Sequence, residues 1–132
     1  MNTLANGLFV VGKTYTTKQI ADILGIDRHG LTTGVFKPAN KNFVLLFVTE
    51  RKESHDTQYN DKLRDNFLEW DGQKAGRTDK YIINNTTNDP ELILMYRAYK
   101  TERPDNSFKC MGNVRYINHK GSHPTHFVLE LY

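Results

Sequence analysis

Residues 43–48 form an unbroken apolar run, Phe-Val-Leu-Leu-Phe-Val, between the polar residues Asn42 and Thr49. The run is shorter than a typical helix and rich in aromatic and branched side chains, so it predicts a strand. A strand with apolar side chains at every position belongs in the middle of a sheet, not at its edge. The rest of the chain must therefore supply strands that lie beside this one.

Several other segments have the patterns of strands. Apolar or alternating residues predict strands at residues 8–11, 67–70, 92–99, 108–118 and 127–131. Gly112 lies inside the longest segment and predicts a bulge or a bend there. We expect a mostly β (α+β) fold, a small curved sheet or pseudo-barrel of about six or seven strands with one or two short helices.

One helix is predicted near the amino terminus. Residues 16–19, Thr-Thr-Lys-Gln, match a capping box, in which the first Thr and the Gln satisfy each other's backbone N–H groups. An apolar stripe at helical spacing follows in residues 20–24, and Gly25 is a typical helix end. Because the glycine-containing segment 27–34 is typical of a loop, we predict a single helix packed on the sheet instead of a helix-turn-helix motif.

Residues 7–14 match the phosphate-binding pattern G-x-x-x-x-G-K-T to the letter. A phosphate loop exposes its backbone N–H groups and leads directly into a long helix. Here the inner positions are branched or aromatic residues that favour a strand, and the candidate helix begins late. We interpret the match as coincidental.

Length and composition fit one domain, residues 1–132, with a net charge of +3 and a pI near 9.0. The single cysteine, Cys110, excludes an internal disulfide and is predicted to be a small buried residue. The chain has no signal-peptide pattern and no run long enough to span a bilayer. We therefore expect a cytoplasmic protein with no membrane partner.

No convincing catalytic set emerges from the sequence. His119, His123 and His126 lie close together, but Gly121 and Pro124 make a helical metal site unfavourable, so they are predicted to be solvated in a loop. Glu69 and Lys74 lack the Glu-x-Lys spacing of a magnesium-dependent nuclease. We expect no catalytic residue, metal or cofactor in this chain, although a compact metal-dependent restriction nuclease stays open as an alternative.

Residues 65–84 contain the most distinctive polar pattern. A short strand ends at the turn signal Asp71-Gly72, and a loop dense in cations, donors and acceptors follows between Gly72 and Gly76 and on to Lys80. Glycines allow such a backbone to approach a ligand closely. The pattern is equally compatible with a recognition loop and with the solvated tip of a hairpin.

A resemblance favours the recognition loop. The sequence contains Tyr59-x-Asp61, a hydrophobic-Trp-x-Gly-Gln segment ending at Gln73, and Gly76-Arg77-x-Asp79, and it closes with a Gly-x-Val-x-Tyr strand at residues 112–116. Over about three quarters of its length, the chain resembles the SRA-like (PUA-superfamily) domains that recognise modified DNA in bacterial restriction systems. It is also similar to the uncharacterised C-terminal domain of some bacterial restriction-type helicases. Its loop is shorter and more basic than is usual in the SRA-like family.

The resemblance implies a PUA/SRA-like barrel and a base-binding pocket. Such domains flip a base out of duplex DNA, stack it on aromatic side chains and let an Asp accept hydrogen bonds from its exocyclic amine. The matching positions are Tyr59 and Trp70 for stacking or pocket walls, and Asp61 or Asp79 for the edge of the base. Which residue takes which role stays open.

The loop residues complete the expected site. Gln73 and Arg77 would fill the gap in the duplex or hold phosphates, and lysines beside them would contact the DNA backbone. The expected DNA-binding residues are Tyr59, Asp61, Trp70, Gln73, Lys74, Arg77, Asp79 and Lys80. The expected partners are double-stranded DNA, modified or unmodified, and a nuclease or helicase domain; another domain or chain would cleave the DNA. A non-catalytic adaptor that binds RNA or protein is the other alternative.

Overall fold

A computed structural model describes residues 3–5, 7–26, 34–38, 41–51, 62–64, 66–71, 79–85, 90–99, 107–121 and 125–131. Within these ranges the chain forms ten strands and two helices. In chain order they are β1 (Thr3–Leu4), β2 (Phe9–Val10), β3 (Thr14–Tyr15), α1 (Thr17–Leu24), β4 (Val35–Phe36), β5 (Phe43–Arg51), β6 (Lys62–Arg64), β7 (Phe67–Asp71), α2 (Asp79–Ile83), β8 (Glu91–Tyr99), β9 (Phe108–Lys120) and β10 (His126–Leu131). The prediction of a mostly β fold with one or two short helices is confirmed.

Most of the strands form one open, curved, mixed sheet. Seven of them lie in the order β4-β5-β8-β9-β10-β7-β6, and β3 pairs with β9 beside this path. β5 and β8 are parallel, whereas every other pair in the sheet is antiparallel. β1 and β2 form a separate two-stranded sheet. The predicted curved sheet is confirmed, and residues 43–48 lie in an interior strand of it.

The sheet separates two hydrophobic cores, one on each face, and this explains why the run in β5 is unbroken. Successive β5 side chains point to opposite faces, and both faces are covered. The first core contains the buried residues Ala5, Phe9, Tyr15, Ile20, Ala21, Phe43, Leu45, Phe47, Ile93, Met95, Phe108 and Cys110. The second core contains Val35, Val44, Leu46, Val48, Leu68, Trp70, Ile82, Leu92, Leu94, Val114, Phe127 and Leu129.

Helix α1 covers the first core and has the predicted ends. The Thr16 side chain accepts a hydrogen bond from the Gln19 backbone N–H at 3.1 Å, and the Gln19 side chain accepts one from the Thr16 N–H at 2.9 Å. Gly25 ends the helix in the left-handed conformation, with φ of 69°. Ile20 is fully buried, but Ile23 is 36% exposed, so the buried stripe is narrower than predicted.

Residues 7–14 do not have the geometry of a phosphate loop. Their centre forms β2, where Phe9 is fully buried in the first core. Thr14 belongs to β3, and α1 begins only at Thr17. The backbone of this segment is therefore part of a strand-rich cover over the first core.

The predicted irregularity at Gly112 is confirmed. The pairing of β8 with β9 shifts between Leu94, which faces Gly112, and Met95, which faces Cys110, so Met111 is an extra residue in β9. Gly112 has φ of 130°, a conformation that side chains with a Cβ rarely adopt. A second shift lies between Val128 and Leu129 of β10, which face Asn118 and Tyr116.

Two local predictions were wrong. Residues 81–83, Tyr-Ile-Ile, have side chains that predict a short strand or turn, but they belong to helix α2, which packs Ile82 into the second core. The loop expected from His119 onward begins later, because β9 continues to Lys120. Neither helix in the described part of the chain is long and apolar enough to cross a membrane.

Candidate functional site

Only part of the predicted site can be placed in the fold. Trp70, Asp79 and Lys80 belong to the described residues. The other predicted members lie outside them, namely Tyr59, Asp61, Gln73, Lys74 and Arg77. The geometry of the candidate site is therefore built from the described three and from the residues that they contact.

Trp70 is a core residue, not an exposed wall for a bound base. It lies in β7, is 3% exposed, and stacks on Phe127 of β10 with the ring centroids 5.8 Å apart and an interplanar angle of 25°. Glu69, its neighbour on the other face, is exposed. Trp70 therefore belongs to the hydrophobic core, with little of its ring exposed to a ligand, and its role in stacking a base or forming a pocket wall stays a prediction.

Asp79 lies at the start of helix α2, not in a loop as predicted. A carboxylate in the first helical turn interacts favourably with the unpaired N–H groups there. Its Oδ2 accepts a hydrogen bond of 2.5 Å from the hydroxyl of Thr125, which is 3% exposed and directly precedes β10. Its Oδ1 is buried and has no hydrogen-bond partner among the described residues.

An unpaired carboxylate oxygen in a buried position is unfavourable, because burial removes water without replacing its hydrogen bonds. Packing of helix α2 does not by itself explain why Oδ1 of Asp79 is buried without a hydrogen-bond donor from the described residues. A donor group from a ligand would satisfy it. Among the three predicted site residues that the structure describes, Asp79 therefore has the geometry most suited to recognition.

Next to Asp79 and Thr125, three side chains from neighbouring strands form a line that we call the aromatic row: Trp70, Phe127 and His119. Phe127 lies opposite Trp70 on one side and opposite His119 on the other. The Phe127 and His119 ring centroids are 6.1 Å apart. The row thus runs from the buried Trp70 to the exposed His119.

Tyr116 extends the exposed end of the aromatic row. Its hydroxyl forms a hydrogen bond of 2.5 Å with Nδ1 of His119, and the two rings have centroids 5.8 Å apart. Its backbone N–H donates to Oδ1 of Asn85, whose amide in turn donates to the carbonyl of Pro90. Asn85 thus fixes the end of helix α2 to strand β9 and holds Asp79 and Tyr116 on the same face of the sheet.

Sequence reasoning missed Thr125 and His119 as site residues. His119 was predicted to be solvated in a loop; it is exposed, but it lies in strand β9. His126 lies in β10 on the other face, where its Nε2 is 3.3 Å from Oε1 of Glu69. Phe127 and Leu129 are apolar and lie two positions apart in the strand, so the sequence predicts that His126 points away from the core that they face. Nothing local in the sequence indicates that Thr125 contacts Asp79.

Lys80 is exposed, as a DNA-binding residue must be, and its side chain lies near an aromatic ring. Its Nζ is 5.3 Å from the ring centroid of Tyr81. Lys37, which follows β4, places its Nζ 5.7 Å from the same centroid. We call Lys37, Lys80 and Tyr81 the Tyr81 cluster.

Cys110 lies in the first core, on the other face of the sheet from Asp79. It is fully buried, and burial raises the pKa of its thiol from 9.0 to about 11. Its prediction as a small buried residue is confirmed. Among the described residues, no group of three or more His, Cys, Asp or Glu side chains lies close enough together to hold a metal ion.

No protein-family model matches this chain, and no curated protein is similar to it at a significant level. The candidate site therefore depends on its geometry and on the sequence pattern described above.

Proposed function

We propose that this domain binds duplex DNA and recognises a modified or specific base with the carboxylate of Asp79. The observation that carries the proposal is the buried Oδ1 of Asp79, which has no hydrogen-bond partner among the residues that the structure describes. A nucleobase with an exocyclic amine is a donor of the right kind for this oxygen. The exposed ring of His119 and the partly buried ring of Tyr116 beside it offer a surface on which such a base would stack.

Within this proposal we assign the roles as follows. Trp70 supports the site indirectly, because it packs against Phe127, and it does not itself stack the base. His119 and Tyr116 take the stacking role, and Asp79 recognises the base edge. Tyr59, Asp61 and the loop from Gln73 to Arg77 remain proposed contributors on the basis of the sequence pattern alone.

The resemblance to SRA-like domains extends the proposal. On that basis the domain is the recognition module of a restriction or anti-phage system, it flips the base, and another domain or chain cleaves the DNA. A cytoplasmic location belongs to the same proposal. RNA or protein binding is the main alternative, and a competition experiment separates it from DNA binding.

The test is binding to matched duplexes that carry cytosine, 5-methylcytosine, 5-hydroxymethylcytosine or a phosphorothioate backbone, at two salt concentrations with magnesium present. We expect one duplex to be preferred, and the preference to persist at the higher salt concentration. Asp79→Ala should abolish this preference and leave weak, salt-sensitive binding. Asp22→Ala, which removes an exposed carboxylate from α1, is the matched control and should keep the preference.

Arg77→Ala should weaken binding to all the duplexes equally, because a phosphate contact carries no sequence information. If Asp79→Ala and Arg77→Ala behave alike, the assigned roles are wrong. If wild-type protein shows no preference, or if RNA competes better than any duplex, base recognition in DNA is excluded. Cleavage of a duplex that requires magnesium would favour the nuclease alternative.

A further inference from the structure

We infer that the Tyr81 cluster is a binding site for a phosphate group. The inference extends the proposed function, because a phosphate of the DNA backbone is the expected ligand. The chemistry is the same for the phosphate of a free nucleotide or polyphosphate, and the experiments below distinguish these sources. Neither Lys37 nor Tyr81 was among the residues expected to bind DNA from the sequence.

The fold brings together two ammonium groups from distant parts of the chain. Lys37 follows β4, and Lys80 lies in α2, but Val35 and Ile82 both pack into the second core. Tyr81 is partly buried against the same core, which limits the movement of its ring. Each ammonium group lies within about 6 Å of the Tyr81 centroid, the usual range of a cation–π contact.

Lys37 is held in place by a second contact. Its Nζ donates a hydrogen bond of 2.8 Å to the backbone carbonyl of Lys41. An ammonium group has three N–H donors, so this bond and the contact with the Tyr81 ring leave donor capacity for an anion. A cation held in this way loses less side-chain entropy when it binds a ligand than a freely moving surface lysine loses.

The charge of the Tyr81 cluster is not balanced within the described residues. Neither Lys37 nor Lys80 has a carboxylate within ion-pair distance there. The nearest acid along the chain, Asp79, directs Oδ2 to Thr125, not to its neighbour Lys80. Two ammonium groups near one ring, with no carboxylate from the described residues beside them, favour the binding of an anion. A phosphate has several acceptor oxygens and can accept hydrogen bonds from both lysines.

The position of the cluster indicates why the phosphate would belong to a nucleic acid. Lys80 and Tyr81 directly follow Asp79 in the first turns of the same helix. A ligand whose base contacts Asp79 would therefore have its backbone near these residues. Phosphate contacts of this kind position a duplex, whereas the base contact specifies its sequence.

The first experiment measures how DNA affinity depends on salt. Each lysine–phosphate contact contributes about 0.9 to the slope of log affinity against log salt concentration, so Lys37→Gln/Lys80→Gln should lower the slope by about 1 to 2. The matched control is Lys18→Gln/Lys109→Gln, which also removes two exposed lysines, from α1 and β9. It should leave the slope near the wild-type value. Equal slopes for the two double variants would overturn the phosphate site and leave the proposed function intact.

The second experiment does not depend on DNA binding. Tripolyphosphate is titrated into the full chain, and backbone amide shifts of Lys80 and Tyr81 are followed by NMR. We expect saturable shifts in the wild type and in the Lys18→Gln/Lys109→Gln control, and roughly tenfold weaker binding in Lys37→Gln/Lys80→Gln.

The two experiments together separate the possible outcomes. Saturable shifts without any DNA binding would support the phosphate site with a free phosphate compound as its ligand, and would count against the proposed function. No saturable response in the wild type, or the same affinity in both double variants, would show that the Tyr81 cluster is only a solvated surface.

Discussion

Replacement of Trp70 by Ala should destabilise the protein severely while leaving the chemistry of the candidate site in place. Trp70 is 3% exposed and stacks on Phe127, so its removal leaves a large cavity in the second core. Substitutions of this kind cost about 3–5 kcal/mol, and the lost aromatic pair accounts for about 0.5–1.5 kcal/mol of it. The free energy of unfolding of a domain is only about 5–15 kcal/mol, so much of the stability would be lost.

Urea denaturation followed by far-UV circular dichroism is the appropriate assay, because Trp70 is the only tryptophan and its fluorescence disappears with the substitution. Phe67→Ala is the matched control. Phe67 lies in the same strand but is 47% exposed, so its removal should cost less than about 1 kcal/mol. Trp70→Phe, which keeps an aromatic ring against Phe127, should fold as the wild type does and retain the proposed DNA binding.

The opposite result would refute this reasoning. If Trp70→Ala lowers the free energy of unfolding by less than about 1 kcal/mol and abolishes DNA binding, the indole is a ligand contact and not a core residue. Loss of DNA binding in a well-folded Trp70→Phe variant would lead to the same conclusion.

Two further predictions concern strand β9. Gly112→Ala should lower the free energy of unfolding by about 1–3 kcal/mol in urea denaturation, because φ of 130° strains any residue with a Cβ, and an unchanged stability would refute this. At pH 8 the Cys110 thiol should react about a hundredfold more slowly with a thiolate-specific reagent than an exposed thiol does, since its pKa is raised to about 11. The raised pKa also predicts that the thiol's contribution to stability is complete below pH 9.0 and lost as pH rises toward about 11, so the wild type should lose more stability than Cys110→Ala over that interval.

The features that were predicted correctly have local signals. The capping box fixes the start of α1, and the apolar run at residues 43–48 identifies β5. Gly112 marks the bulge because few other residues adopt its backbone conformation. In each case the information lies within a few neighbouring residues, so a single sequence is sufficient to find it.

The features that were missed depend on distant contacts. Helix α2 has only five residues, too few for a periodic pattern, and it is stabilised by packing Ile82 into the second core. The hydrogen bond between Thr125 and Asp79 joins residues that are 46 positions apart. The burial of Trp70, in contrast, was predictable: Leu68 and Trp70 alternate with Phe67 and Glu69, and the apolar pair indicates the core face.

The irregularities in β9 determine which of its side chains reach the face of Asp79. Strand residues alternate between faces, so Tyr116 and His119, three positions apart, would point in opposite directions in a regular strand. The second register shift makes Ile117 an extra residue, and Tyr116 and His119 consequently lie opposite Leu129 and Phe127, both members of the second core.

The bulge at Met111 lies earlier in β9 and changes the direction of the side chains that follow it. Before it, Phe108 and Cys110 belong to the first core; after it, Val114 and Tyr116 face the second. Without this shift, Tyr116 would lie on the opposite face from Asp79. Because β9 carries both irregularities, one strand contributes to both cores and also supplies Tyr116 and His119 of the candidate site. Deletion of Ile117 should therefore restore a regular strand and keep Tyr116 and His119 on the same face, because they would then be two positions apart. The contact between the two rings should persist in NMR spectra of this variant, and its loss would contradict the assignment of Ile117 as the extra residue.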